Sequence, residues 1–156
     1  MTDFAYGNTI FCDDIRHEIG SKLSLMGCFG AELRAFGEAP VMLSSFCAYV
    51  SVRVPQSIKF NNLKIVIIAD FKDGPKEVAK AEMPLDPAQV KITDPGQIFS
   101  VDVPFRFAPF MIEGDGFIRS RAYLDDLEVK LGSLRVVVLG LEDVPPEFGA
   151  INPVKS

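Results

Sequence analysis

Residues Ile98 to Phe107 read IFSVDVPFRF. Phe99, Val101, Val103, Phe105 and Phe107 take alternate positions, so an extended chain lays all five on one face and leaves Ser100, Asp102 and Arg106 on the other. A helix would scatter the same residues around its axis. The stretch therefore predicts a β-strand buried on one side. Pro104 has no backbone donor, which puts this strand at a sheet edge or at a bulge.

The same period recurs outward in both directions. In Met42 to Val54, the residues Phe46, Ala48, Val50, Val52 and Val54 share a face. Asn8 to Cys12 reads as a short first strand, and Ser21 to Phe29 alternates through Leu23, Leu25, Gly27 and Phe29. Glu77 to Met83 turns Ala79, Ala81 and Met83 inward, and Phe117 to Leu124 and Glu128 to Leu141 complete the set. Leu63 to Phe71, LKIVIIADF, is apolar on both faces, as in a central strand covered on both sides or a strand at a dimer contact. Between the strands, Lys72–Pro75 and Glu113–Gly116 are turn sequences. Ala31 to Pro40 is expected to be a loop with a helical turn through Glu32 to Ala35, and Pro84 to Gly96 an irregular crossing. Together these signals predict an all-β chain: an antiparallel two-layer β-sandwich of about eight strands, immunoglobulin-like or similar. All 156 residues belong to this single domain, with a loosely held tail over 142–156. Its core must draw on the 13 phenylalanines, because the chain has no tryptophan.

A second stretch carries the dense charge. Phe11-Cys12-Asp13-Asp14-Ile15-Arg16, followed by Glu18, Gly20, Lys22, Ser24, Leu25 and Gly27, resembles the opening of a bacterial family of uncharacterised proteins with an FCDDIR-type motif. The later Glu113-Gly114-x-Gly-Phe-x-x-x-x-Ala-Tyr and the closing apolar strand are similar to that family's second half. The resemblance implies a β-sandwich and brings no assigned activity, catalytic residue or binding residue with it.

Charge and composition narrow the field of functions. A net charge of −5 repels phosphate backbones, and no basic stripe with interleaved aromatics marks a nucleic-acid groove, so no nucleic-acid partner is expected. No apolar run reaches the roughly 18 residues of a membrane helix, so membrane insertion is not expected either. The start, MTDFAYGNTIF, lacks the pattern of a secretory signal, and three cysteines without framework spacing suit reduced thiols, so a cytoplasmic location is expected.

Three places carry candidate function. The first is the corner formed by Asp13, Asp14, Arg16, His17 and Glu18, read as an acidic turn between the first two strands. It serves either as an ion-paired clasp or as a ligand-binding site. Any histidine-based catalysis must use His17, the sole histidine, and no G-x-S-x-G elbow accompanies it, which argues against an enzyme. Cys12, Cys28, Cys47 and His17 could supply four zinc ligands but lack the short C-x-x-C spacing of structural sites. No cofactor is implied.

The second place comes from counting strands that alternate in direction. That count gathers Asp13, Asp14, Asp125 and Asp126 at one end, with Asp94 beside them, as an oxygen-rich rim for Ca²⁺, and sends Asp70 and Asp73 to the other end. The third is PFRFAPFMIEGDGF, whose Phe107, Phe110, Met111 and Ile112 either fold over the open end of the sandwich or form an exposed contact for a partner or a second copy. Two function classes follow. One is a non-enzymatic protein-binding or assembly module of bacterial or phage-related origin. The other is a ligand- or cation-binding protein, or an unrecognised enzyme, using the Asp13–Glu18 corner.

Overall fold

The computed structural model of the chain describes residues 4–85 and 98–143. The strands are β1 (Tyr6–Glu18), β2 (Lys22–Cys28), β3 (Glu32–Phe36), β4 (Val41–Leu43), β5 (Phe46–Pro55), β6 (Asn62–Phe71), β7 (Gly74–Pro84), β8 (Ile98–Phe107), β9 (Phe110–Ile112), β10 (Gly116–Leu124) and β11 (Leu127–Leu139). A 3-10 turn, Leu141–Asp143, follows. One sheet has the order β2-β1-β5-β8, the other β3-β11-β10-β6-β7, and β4 pairs with β9 as a separate ribbon. The predicted all-β sandwich is therefore the fold. Most of Pro84–Gly96 and of the 142–156 tail lies outside the described residues.

The alternating rows of β5 and β7 do what their period dictates, whereas the row expected in β2 divides: Phe29 packs on the main core, and Leu23 and Leu25 pack on a separate cluster with Cys12, Ile15 and Cys47. Phe46, Ala48, Val50, Val52 and Val54 of β5 are buried, facing Leu63, Ile65, Ile67 and Ala69 of β6 and Ile118 and Ala122 of β10 in one core. Ala79, Ala81 and Met83 of β7 pack against that core at its margin. β8 is an edge strand, and Pro104, opposite Tyr49, stands on its free side, where a missing donor leaves no ladder bond unmade. β6 is central, between β10 and β7. Its outward Val66 is only 1% exposed, flanked in register by Arg121 and Lys80, whose aliphatic stems are long enough to cover it.

Phe46 is the hub of the aromatic packing at one end, here called the upper end. Its ring centroid lies 4.9 Å from Phe110, 6.0 Å from Phe11 and 6.1 Å from both Phe29 and Phe107. Phe60 and Phe99 meet edge to face at 5.7 Å elsewhere in the core.

Four expectations change. The acidic segment is not a turn: β1 continues through it to Glu18, and the reversal occurs at Ile19–Ser21, where Gly20 (φ 82°) and Ser21 (φ 59°) are left-handed. Pairing with β2, Arg16 opposite Ser24 and Glu18 opposite Lys22, outweighs the turn preference of aspartate. Ala31–Pro40 is not a loop with a helical turn: β3 runs parallel to β11 and buries Leu33 and Ala35. Met42 and Leu43 do not begin β5 but belong to β4, giving eleven strands among the described residues instead of about eight.

The fourth change follows from the second. β3 is one more traverse of the sandwich, and it reverses the direction of every later strand relative to the alternating count. β5 is antiparallel to β1 and ends at the lower end, so β6 ends at the upper end and β10 at the lower.

The sheets approach most closely where β1 crosses β11. Thr9 Oγ1 and Ser120 Oγ are 2.6 Å apart, joining the layers by a hydrogen bond beside Gly132. Ser120 is fully buried, so its hydroxyl needs this partner. A Cβ on Gly7 would stand 2.1 Å from the Ser51 carbonyl oxygen and 2.8 Å from Leu131 Cδ2. Gly7→Ala should therefore cost about 3 kcal/mol in urea unfolding. Gly30→Ala, whose Cβ meets nothing within 4 Å, should stay within about 0.5 kcal/mol of the parent.

Candidate functional site

The charged segment of β1 is assembled into a corner by a residue the sequence did not single out. Arg106 stands on the outer face of β8 opposite Cys47 and reaches across β5 to β1. Its Nη1 lies 2.8 Å from Asp14 Oδ1, and its Nη2 donates to the Ile15 carbonyl. Arg16 Nε approaches the other Asp14 oxygen at 3.4 Å, and the Ile15 N–H donates to Asp14 Oδ1 at 2.9 Å. Ser45 Oγ, just before β5, donates to the Asp13 carbonyl at 2.8 Å. These contacts tie β1 to β5 and β8 just beyond Cys12, the last β1 residue paired with β5.

Beneath them lies a small apolar cluster of Cys12, Ile15 and Cys47, flanked by Leu23, Leu25 and Tyr49. Partial burial would raise the Asp14 pKa. The Arg16 hydrogen bond, the Arg106 charge and the Ile15 N–H outweigh it and hold the carboxyl below its usual 3.8.

Asp13 faces Gly27. That glycine has φ 63°, and a Cβ there would stand 2.2 Å from Asp13 Oδ2. The carboxylate thus lies against a surface that only glycine leaves bare. Asp13, Asp14, Leu43, Ser44, Ser45, Arg106 and Ala108 line an open groove of about 610 Å³.

Of the five predicted binding residues, Asp13 and Asp14 line this groove and Arg16 supports Asp14. His17 and Glu18 lie farther along the exposed β1–β2 hairpin, His17 opposite Leu23 and Glu18 accepting from Ser24 Oγ at 2.9 Å. His17 is five residues along β1 from Cys12, about 17 Å, so the zinc set does not assemble.

The four-aspartate Ca²⁺ rim does not assemble either. Asp125 and Asp126 turn at the lower end, where the Asp125 carboxylate accepts the N–H groups of Asn61 and Asn62, both at 3.0 Å. Tyr6 and Gly7 neighbour Leu127 and Glu128 there. Asp13 lies seven residues farther along β1, about 23 Å away. The reversed strand directions cause the error, and they bring Asp73 to the upper end, where it pairs with Lys76 at 3.8 Å. Asp94 lies outside the described residues. Among the described residues no three His, Cys, Asp or Glu side chains converge in a way that could hold a metal ion.

The predicted contact segment divides. Phe110 and Ile112 are buried and Phe107 is half-buried against Phe46 and Phe110, so these three close the upper end instead of forming an exposed patch. Period two through β9 leaves Met111 outside, 45% exposed, directly opposite Met42, 63% exposed. Arg106, Ser45 and Met42 are the site residues that the sequence did not reveal. The available signal for Arg106 was a cation on the polar face of this strand, opposite its row of Phe and Val.

No family model matches the chain, and no curated protein is significantly similar to it in sequence. Among the described residues no helix is long and apolar enough to cross a membrane.

The depressed Asp14 pKa fixes the pH dependence of the clasp. Its contribution to stability is present above 3.8, the value of an unperturbed carboxyl, and is lost as pH falls through the lower folded-state value. Arg106→Gln should lower the melting temperature at neutral pH. The gap from the parent should narrow as pH drops below 3.8. Melting curves across that range check it.

Proposed function

We propose that this chain is a non-enzymatic protein-binding module, cytoplasmic and of bacterial or phage-related origin, that grips a partner protein at the upper end of its sandwich. The observation that carries this reading is the outward pair of methionines. Met42 and Met111 oppose each other across the β4–β9 ribbon, while Phe110 and Ile112 of the same ribbon are anchored in the core. The ribbon is thus a firm platform under two unbranched, polarizable side chains, which adapt to varied apolar partners.

Charged groups rim the pair on both sides. On one side lies the groove of Asp13, Asp14 and Arg106, which includes Leu43 next to Met42. On the other, Lys76 sits 3.4 Å from Glu113 beside Phe107 and Pro109. An apolar centre with a charged rim is the usual anatomy of a protein contact. The Asp13 carboxylate suits a partner segment that carries a Lys or Arg near its apolar anchor. Similarity of the opening motif to the bacterial FCDDIR-type family is part of the same proposal.

The test immobilises the parent protein, a Met42→Asp/Met111→Asp variant and a Leu127→Asp control at the opposite end, and exposes all three to native extract. A defined partner should be held by the parent and the control and lost by the double variant, whose melting temperature should be unchanged. Equal retention by all three overturns the proposal. A concentration-dependent dimer in sedimentation, abolished by the double variant, would identify the partner as a second copy.

A further inference from the structure

The three cysteines stand in one row across three strands. Cys28 of β2 is opposite Cys12 of β1, which is opposite Cys47 of β5. The two contacts differ in kind. The Phe29 N–H donates to the Phe11 carbonyl at 2.8 Å, which makes Phe11–Phe29 a hydrogen-bonded pair of the β1–β2 ladder. The next pair along, Cys12–Cys28, is then non-hydrogen-bonded, the kind whose α-carbons approach to about 4.5 Å and whose side chains lie closest. Phe11 and Phe29 both pack inward on Phe46, so Cys12 and Cys28 share the outer face. In an antiparallel ladder the N–H and C=O of one residue point to the same neighbour. Those of Cys12 point to β5, making Cys12–Cys47 the wider, hydrogen-bonded pair at about 5.5 Å.

Access differs too. Cys28 is exposed, whereas Cys12 and Cys47 are buried. Burial first, then the neighbouring Cys47, Cys28 and Asp13, pushes the Cys12 thiol up to about 11, so it is nearly all protonated at neutral pH.

We propose that Cys28 and Cys12 form a redox pair in which Cys28 reacts first and Cys12 closes a disulfide between β2 and β1. The co-reactant is a low-molecular-weight disulfide such as oxidised glutathione. The Cys28 thiolate attacks one of its sulfurs, forming a mixed disulfide and expelling one glutathione thiolate. Cys12 then loses its proton and attacks the Cys28 sulfur, expelling the second glutathione thiolate. The protein gives up two protons and two electrons, and the glutathione disulfide is reduced to two thiols. The bond staples edge strand β2 to β1 on the rung next to the Asp13–Gly27 contact, and so fixes the corner. It does not rest on the partner-binding proposal.

Trypsin separates all three thiols, on Met1–Arg16, Leu23–Arg34 and Ala35–Arg53. The native protein is treated with oxidised glutathione, quenched in acid and mapped without reduction. The parent and Cys47→Ala should lose two hydrogens and yield Met1–Arg16 linked to Leu23–Arg34, with a raised melting temperature. Cys12→Ala should stop as a glutathione adduct on Cys28, and Cys28→Ala should not react. Closure in the parent should speed up about tenfold per pH unit between about pH 7 and 9, because it waits on the Cys12 thiolate. A persistent Cys28 adduct in the parent, a Cys12–Cys47 link, or an unreactive Cys28 would each overturn the proposal.

Discussion

The backbones of the two layers come nearest each other where β1 crosses β11. Gly7 has no room for a side chain beside Ser51 and Leu131, and Thr9 and Ser120 exchange a hydrogen bond from one sheet to the other. Close contact there sets the spacing at which the Val and Ile rows of β5, β6 and β10 interlock, and dispersion falls off steeply with any gap. The polar bridge adds direction to a hydrophobic contact that would otherwise tolerate sliding, since a buried hydroxyl without its partner is costly.

From that crossing β1 runs on past the body of its sheet, and its far half needs separate support. Its last pairing with β5 is at Cys12. Beyond that point, Arg106 holds Asp14 and the Ile15 carbonyl while Ser45 holds the Asp13 carbonyl. The guanidinium is half exposed, so its ion pair alone contributes modestly, and its value lies in fixing geometry with several donors at once. The charged motif is thus first a clasp, and the groove beside it exists because the clasp holds β1 close to β5 and β8. The Met42–Met111 ribbon sits at the same end because Phe110 and Ile112 close the core there. Clasp, ribbon and thiol row therefore share one region for different physical reasons: polar satisfaction, core closure and strand register.

Most strands were legible because burial on one side writes a period of two into the residues, as in β5 and β8. β3 was not. Five residues containing Glu32 and Arg34 read as a loop, and their partner strand β11 lies about a hundred residues away, where no local pattern can announce a parallel pairing. Overlooking that one traverse inverted every later strand, which is why Asp125 was grouped with Asp13 while Asp73 was sent to the wrong end. The corner shows the same limit. Asp13 and Asp14 stood out as charge beside an apolar run, but Arg106 is 91 residues from the Ile15 carbonyl it holds. In the 107–112 segment the run of apolar residues is visible in the sequence, yet only the pairing of β9 with β4 decides that Phe110 and Ile112 go inward and Met111 outward.

By itself the sequence determined that this chain is built of strands and, for strands such as β5 and β8, which side chains turn to the core, because alternation is a local property that burial enforces residue by residue. Which strand lies beside which, which acidic turns share an end, and which cysteine faces which were decided only in the tertiary structure. Those outcomes depend on ladders closed between distant segments, and a one-residue change of register or one unnoticed strand alters them without changing any local pattern.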